Sequence, residues 1–430
     1  MGTRMQKVIF LVCVMALTLA LLAQEIQHET TAINIEVPVR VYDGKRFVEN
    51  LTLKDFEVYE DGKRQKIEAV YLIKKSAIKS RESVEKGEIV RKEELEERFA
   101  REGPRHFFLV FEILEFMPKI KKTIEFFFQN VIQPEDSLLV VTPLNTYKFR
   151  NDVFKIKSKE DITNTLTSIL KKDVRGGNAE YKRIIEELRK ITRSIAIILS
   201  PTPMEKAFSE SSSNIWRTIA DSEGGGLPSL LSSYRSYLSQ LERIRGINQK
   251  ALLDFGESLK DMDGQKYVFL LYQREFIPKV APRILSQSMS MFQDDPNSQM
   301  AITSLMELYK RDYSLDVDLI EQAYAEPSIS AHFMFFTKIA ERGGIGVQMR
   351  ESSTDVFSAF RELALATGGK VESSSNPEYL FQQAVDASEN YYLLYYTPKN
   401  YKADGKFKNI EVKVKGKNYK ITHRAGYIAD

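Results

Sequence analysis

Four short runs of mostly apolar residues constrain the fold of this chain more than any other feature. They lie at 107–111, 137–141, 267–271 and 332–336, and helical patterns separate them. Such a run, without alternation of polar residues, is typical of a strand buried on both faces. Strands of this kind that alternate with helices indicate a mainly parallel sheet covered by helices. We therefore predict an α/β domain over 105–398.

The regions on either side of this domain alternate apolar and polar residues, which is typical of half-buried strands. Between Ile33 and Ile73, the dipeptides Asp43-Gly44 and Asp61-Gly62 favour hairpin turns. Segment 31–75 is therefore predicted to be a small antiparallel β-domain. The lysine-rich segment 399–430 is predicted to be a C-terminal β-hairpin.

Three further segments differ in composition from these regions. Residues 76–104 contain runs of mixed charge with few large apolar side chains, which indicates a solvated helical linker. Residues 201–227 are rich in Ser, Gly and Pro and are predicted to be a loop insertion in the α/β domain. A single long helix is predicted from about Leu230 to Met262.

The N-terminus has the pattern of a signal peptide over 1–23. Arg4 and Lys7 precede Val8–Ala23, which is apolar apart from Thr18. This stretch is shorter than the ~20 residues of a membrane-spanning helix. We expect an exported protein, periplasmic or extracellular, with no membrane span after cleavage. Retention of the segment as an anchor is the alternative.

The composition argues against several functional classes. Lys and Arg number 62 against 59 Asp and Glu, and the two signs are mixed along the chain, so a nucleic-acid partner is not expected. One cysteine and four scattered histidines argue against a disulfide scaffold and a zinc centre. Neither a Gly-x-Ser-x-Gly elbow nor an HExxH helix occurs. We therefore predict no enzymatic activity and no catalytic residues.

Four phrases of the sequence resemble those of the bacterial von Willebrand factor A-related exported proteins, a family abundant in Acidobacteria-like lineages. These phrases are Leu51–Lys63, Leu363–Lys370, Tyr391–Tyr396 and Asp404–Val414. The resemblance implies a Rossmann-like von Willebrand factor A domain with a mainly parallel sheet, a small antiparallel β-domain before it and a β-hairpin at the end. It also implies adhesion or protein recognition at a metal-ion-dependent adhesion site.

In working sites of that family, an Asp-x-Ser-x-Ser motif, a Thr and an Asp supply oxygen ligands to Mg²⁺, a cation that requires such ligands. The resemblance places Leu114 and Phe116 where the two serines are needed, and Asn178 where the Thr is needed. Gln273 and Arg274 stand where Asp-Gly is usual. We therefore expect a degenerate site that holds neither a metal ion nor a cofactor.

The leading hypothesis is that the vacated site has become a protein-binding face, a partly exposed apolar patch ringed by charges. Its candidate residues are Glu112, Leu114, Glu115, Phe116, Asn178, Gln273, Arg274 and Glu275. The partner would be a protein of the cell envelope or the extracellular space. Alternatively, Leu114 and Phe116 turn inward and plug the site.

Two other functions stay open at this point. The chain could be a metal-dependent adhesin with Glu112 and Glu115 as unusual carboxylate ligands. The third possibility, an exported hydrolase, has no positive support in the sequence.

Overall fold

A computed structural model provides the fold. It describes residues 33–44, 46–74, 77–83, 105–150, 152–200, 226–245, 248–310, 316–324, 329–337, 343–399 and 401–429. The predicted signal peptide at 1–23 lies outside the described residues, as do most of the predicted linker at 76–104 and nearly all of the predicted insertion at 201–227.

The strands and helices are numbered in chain order. The strands are β1 Ile35–Asp43, β2 Arg46–Phe47, β3 Phe56–Glu60, β4 Lys63–Gln65, β5 Ile67–Lys74, β6 Ala77–Ser83, β7 His106–Glu112, β8 Ser137–Val141, β9 Thr146–Phe149, β10 Lys266–Gln273, β11 Phe276–Val280, β12 Ile329–Phe336, β13 Val347–Glu351, β14 Val371–Ser374, β15 Asn390–Tyr396, β16 Phe407–Val414, β17 Lys420–His423 and β18 Gly426–Ile428. The helices are α1 Pro118–Asn130, α2 Val153–Ile156, α3 Lys159–Gly177, α4 Ala179–Leu199, α5 Leu227–Arg245, α6 Gln249–Lys260, α7 Pro282–Met291, α8 Pro296–Leu308, α9 Val317–Ala323, α10 Thr354–Ala366 and α11 Pro377–Glu389.

The central sheet contains the four predicted buried runs. Its strand order is β14-β12-β10-β7-β8-β9, and every pair is parallel except β8 with β9. Phe107 and Leu109 of β7 pack in one core with helices α1, α3 and α11. Phe108 of the same strand packs in a second core with α6, α9 and α10. Because both faces of the strand are covered, successive residues are all apolar.

A second sheet is antiparallel and joins the two ends of the described chain. Its order is β17-β1-β15-β5-β6, so that β15 lies between β1 and β5. Leu394 of β15 pairs with Val37 on one side and with Val70 on the other. The C-terminal strand β16 pairs with β3 in a smaller antiparallel sheet of order β18-β16-β3-β4. Strands β11 and β13 form a two-stranded antiparallel sheet.

The predicted fold class is wrong. The chain has mixed α/β content with only one mainly parallel sheet, and its other sheets are antiparallel, so it is not a clear Rossmann-like von Willebrand factor A fold. The expected N-terminal β-domain does not form its sheet alone, since β15 is inserted between β1 and β5. The expected terminal hairpin likewise gives β16 to β3. The physical reason is that period-two alternation identifies a strand but not the strand that satisfies its backbone N–H and C=O groups.

Two local predictions also differ from the structure. The start of the predicted helical linker forms strand β6, which pairs with β5. The predicted long helix over 230–262 is divided into α5 and α6. Asn248 begins α6 because its side chain accepts the N–H of Ala251 at 3.0 Å, as N-cap residues do.

Candidate functional site

The candidate site lies at the carboxyl edge of the central sheet, where β7 and β10 end. Gln273 is the last residue of β10 and is fully buried. Its Oε1 atom accepts the backbone N–H of Leu114 at 2.8 Å and that of Glu115 at 2.9 Å. One side-chain oxygen therefore fixes the loop that follows β7.

Asn178 also fixes this loop. It lies at the junction of α3 and α4, and its Nδ2 atom donates to the carbonyl of Ile113 at 2.9 Å and to that of Val174 at 2.8 Å. In the family that the sequence resembles, a Thr hydroxyl that binds the metal ion is expected at this position. The amide instead links the loop to the end of α3.

Leu114 and Phe116 have different surroundings. Leu114 is only 3% exposed and lies in a core with Tyr181 and Ile184 of α4. Phe116 is half-buried, packs against the core under α1, and has the Lys171 ammonium 5.4 Å above its ring. Leu114 therefore does not belong to an exposed apolar patch, whereas Phe116 retains an accessible side.

A buried arginine, which the sequence did not indicate, lies among the candidate carboxylates. Arg245 at the end of α5 has a side chain only 7% exposed, and its Nη1 atom lies 3.3 Å from Glu112 Oε2. Its Nε atom lies 3.9 Å from Oε2 of the fully buried Glu275, and its guanidinium lies 5.1 Å from the centre of the Tyr272 ring. Nothing in the sequence distinguishes Arg245 from its exposed neighbour Arg243.

Glu112, at the end of β7, is an ion-pair partner of Arg245. Its side chain is 40% exposed. Burial raises the pKa of Glu112, and Arg245 opposes this shift. The described part of the chain holds no group of three or more His, Cys, Asp or Glu side chains that could hold a metal ion. The carboxylate-ligand hypothesis therefore has no geometric support at Glu112.

Arg274 is directed away from this cluster. Its Nη1 atom pairs with Glu351 at 2.6 Å, and its Nη2 atom donates to Ser373 Oγ at 2.9 Å. The guanidinium also lies 4.7 Å from the centre of the Phe335 ring. The adjacent residues Gln273 and Arg274 thus contact different parts of the structure. Gln273 holds the loop after β7, whereas Arg274 links β13 and β14.

The turn after β8 is a second part of this edge that the sequence did not indicate. Asp173 Oδ2 accepts hydrogen bonds from Thr142 Oγ1 at 2.8 Å and from Tyr147 Oη at 2.7 Å, on the two sides of the turn. At the tip of the turn, Leu144 is 53% exposed. The turn rests on α3, where a Cβ atom at Gly177 would lie 2.7 Å from the carbonyl oxygen of Pro143, so only glycine fits.

Comparisons of this chain with models of protein families, with curated proteins and with solved structures found no match. Within the described ranges, no helix combines the length and the apolar character needed to cross a membrane.

The two loops together form what we call the loop surface, which consists of Glu115, Phe116, Met117 and Leu144. Glu115 and Leu144 are exposed, and Phe116 and Met117 are half-buried. Both loops contact the end of α3, through Asn178 for the first and through Gly176 and Gly177 for the second. The arrangement offers a fixed apolar contact area with a carboxylate and no nucleophile.

Proposed function

We propose that this chain is an exported protein-interaction module that binds a partner protein through the loop surface, without a metal ion and without catalysis. The partner would be a protein of the cell envelope or the extracellular space. The observation that carries the proposal is the exposed Leu144, held in a fixed turn on the same edge as the Phe116 loop.

Preorganisation of both loops supports this function. Gln273 and Asn178 hold the backbone of 113–115, and Asp173 holds the turn at 142–147. A contact surface that is already ordered loses little conformational entropy when a partner binds. The three fixing side chains are buried, so a partner would not have to displace them.

The composition of the loop surface also supports a protein partner. Leu144, Phe116 and Met117 provide apolar and aromatic contact area, and Glu115 and Lys171 provide charged groups beside it. Interface centres are enriched in aromatic residues and methionine, with charged groups at the rim. Leu114 is buried and is not part of this surface. The surface is therefore smaller than the apolar patch that the sequence analysis expected.

Export rests on the sequence of 1–23, and the relation to the von Willebrand factor A-related exported proteins stays a prediction that rests on the four phrases. Mass spectrometry of the native protein tests the first point. We expect a mature N-terminus near Gln24 in an envelope or extracellular fraction. An intact Met1 in the cytosol would contradict export.

The binding test uses a photo-crosslinking amino acid at position 144 of the full chain in its native cells. Ile156, which is 79% exposed, is the matched control, because β9 runs antiparallel to β8 and carries the chain to the opposite edge of the sheet. We expect a specific protein crosslink at 144 and none at 156. The crosslinked protein is then purified for affinity measurements.

Affinity for that purified partner gives the quantitative test. The variants Leu144→Asp and Phe116→Asp should each weaken binding by about tenfold or more, which corresponds to about 1.4 kcal/mol. Ile156→Asp should leave the affinity unchanged. Since Leu144 is mostly exposed, its substitution should change stability by about 0.5 kcal/mol or less. Equal affinities for all three variants would show that the loop surface is not the binding surface.

A further inference from the structure

A pocket of about 220 Å³ lies at the other edge of the central sheet, where that sheet meets the antiparallel sheet. Lys370 precedes the first residue of the parallel strand β14, which places the pocket at the amino edge and away from the loop surface. Pockets for drug-sized ligands have volumes of about 300–1,000 Å³, so this one suits a smaller molecule. The lining side chains that matter here are Tyr42 of β1, Arg361 and Leu365 of α10, Lys370, Glu372 of β14 and Lys420 of β17.

Lys370 is the most enclosed cation of this pocket. Its side chain is 11% exposed, and its Nζ atom donates to Gln383 Oε1 at 2.9 Å. The same ammonium lies 3.6 Å from Glu372 Oε1 and 4.9 Å from the centre of the Tyr42 ring. Burial lowers the pKa of Lys370, the Glu372 carboxylate opposes this effect, and Lys420 adds to it. Glu372 and Gln383 therefore supply polar contacts to the ammonium, and the positive charge of Lys420 acts against it.

The two other cations of the pocket differ in their pairing. Arg361 Nη1 forms an ion pair with Glu362 at 2.6 Å, so it adds little net charge. Lys420 is exposed and is close enough to Lys370 to act on its titration. Among the lining side chains, Lys370 and Lys420 therefore outnumber the carboxylate of Glu372 by one charge, and Asp386, outside the lining, also opposes the charge of Lys370.

Tyr42 and Leu365 supply apolar surface to the pocket. Tyr42 is 8% exposed, and Leu365 is half-buried on α10. A ligand with one charged end and one apolar end would match this lining, because small-molecule sites combine apolar lining with a few convergent polar groups. An anion near two ammonium groups gains charge-assisted hydrogen bonds, which are stronger than bonds between neutral groups.

We propose that this pocket binds a small organic anion, whose charged group contacts Lys370 and Lys420 and whose apolar part packs against Tyr42 and Leu365. The site joins residues of the antiparallel sheet to residues of the central sheet. It does not depend on the proposed protein-binding function, since none of its residues belongs to the loop surface.

Isothermal titration calorimetry of the full chain tests this proposal with three probes of similar size. Benzoate carries a carboxylate, phenyl phosphate carries a phosphate, and benzyl alcohol is uncharged. We expect one or both anions to bind, with weaker binding at higher salt concentration because ion pairs are screened. Benzyl alcohol should bind at least about tenfold more weakly, which corresponds to about 1.4 kcal/mol. The preferred anion identifies the charged group that the pocket accepts.

Three variants locate the binding. Lys370→Met and Lys420→Met should each reduce the affinity for the preferred anion by about tenfold or more, which corresponds to about 1.4 kcal/mol. Lys413→Met is the matched control, because Lys413 is exposed on β16 and its ammonium lies over Tyr59 outside the pocket. Circular dichroism checks that each variant is folded. If Lys370→Met does not fold, the exposed Lys420 decides the question.

Three results would overturn the proposal. One is that neither anion binds the unaltered chain at millimolar concentration. Another is that benzyl alcohol binds as tightly as the anions. The third is that Lys420→Met, or a folded Lys370→Met, binds the anion as tightly as Lys413→Met does, which would mean that the anion does not contact both ammonium groups.

Discussion

Gln273 and Leu114 lie 159 residues apart in the chain, and the side-chain Oε1 atom of the first accepts the backbone N–H of the second at 2.8 Å. The same oxygen also accepts the N–H of Glu115. An amide at the end of β10 thus holds the loop that follows β7. The backbone at the start of this loop is therefore fixed by a residue of a distant strand, whereas the Glu115 side chain is exposed.

The first prediction concerns Gln273. Replacement by Leu leaves the N–H groups of Leu114 and Glu115 without their acceptor, and an unsatisfied buried donor costs about 1–3 kcal/mol. We expect Gln273→Leu to lower the free energy of unfolding by about 2 kcal/mol or more in urea titrations. Gln287→Leu, on the exposed side of α7, should have little effect. Faster hydrogen exchange at 114 and 115 should accompany the loss, and unchanged exchange would contradict it.

The second prediction concerns Arg245. Its replacement by Met removes the cation that faces Glu112 and Glu275, and breaking a buried ion pair from one side costs about 3–5 kcal/mol. Since Glu112 is partly exposed, we expect about 3 kcal/mol in chemical unfolding. Arg243→Met, on the same helix but exposed, is the control.

The pH dependence of the Arg245 variant gives a further check. The pKa of Glu112 is already raised by burial and would rise more without Arg245. A carboxyl group with a raised pKa in the folded state stabilises the fold at low pH and loses that contribution as the pH rises. The deficit of Arg245→Met should therefore be larger at pH 7 than at pH 5. A deficit independent of pH would contradict this account.

The third prediction concerns His332, which is fully buried on β12. Its Nδ1 atom accepts the N–H of Lys370 at 3.2 Å, and its Nε2 atom lies 2.8 Å from Ser388 Oγ. Burial lowers the pKa of His332 well below its usual value, and the positive charges of Arg40 and Lys370 act in the same direction. The unfolded chain takes up a proton near pH 6.5, whereas the folded chain does not.

The contribution of His332 to the free energy of unfolding should therefore be constant above pH 6.5. It should decrease as the pH falls below 6.5. The contribution is at most about 1.4 kcal/mol per pH unit. Burial also lowers the pKa of His423, against a hydrogen bond to the Arg424 carbonyl that raises it, so His423 adds a contribution of the same sign. Urea unfolding of His332→Gln between pH 7 and pH 5 should show a shallower slope than the unaltered chain, although its stability is lower. Equal slopes would show that His332 is not a source of this acid sensitivity.

The fourth prediction concerns Mg²⁺. At a concentration 1,000 times the dissociation constant, a ligand stabilises the folded state by about 4 kcal/mol. Glu112 is paired with Arg245, and Gln273 Oε1 already accepts two N–H groups. We therefore expect no increase in thermal stability with millimolar Mg²⁺ or Mn²⁺. A clear increase that disappears in Glu112→Ala would revive the metal-dependent adhesin.

The sequence predicted much of the local structure but not the assembly of the strands. Strand β8 begins and ends where the apolar run predicted, because burial on both faces leaves a signal within five residues. The same type of signal located β7, β10 and β12 within a few residues. It could not show that β15 lies between β1 and β5, since the partner of a strand depends on residues more than 300 positions away.

The candidate site shows the same division. Of the residues that the resemblance singled out, Gln273 and Asn178 form hydrogen bonds with the loop after β7, and Glu112 forms an ion pair with Arg245. Arg245, Asp173 and Leu144 were missed, because an arginine on a helix, an aspartate on a helix and a leucine in a turn have no local pattern that distinguishes a buried partner from a solvated side chain.

By itself, the sequence determined which segments form buried strands and which positions near their ends are polar, because periodicity and side-chain type act over a few residues. Only the tertiary structure decided that Leu114 faces the core while Leu144 faces solvent, and that Arg274 contacts Glu351 rather than Glu112. These outcomes depend on the path of the backbone between distant elements, which must satisfy buried hydrogen bonds and close packing at the same time.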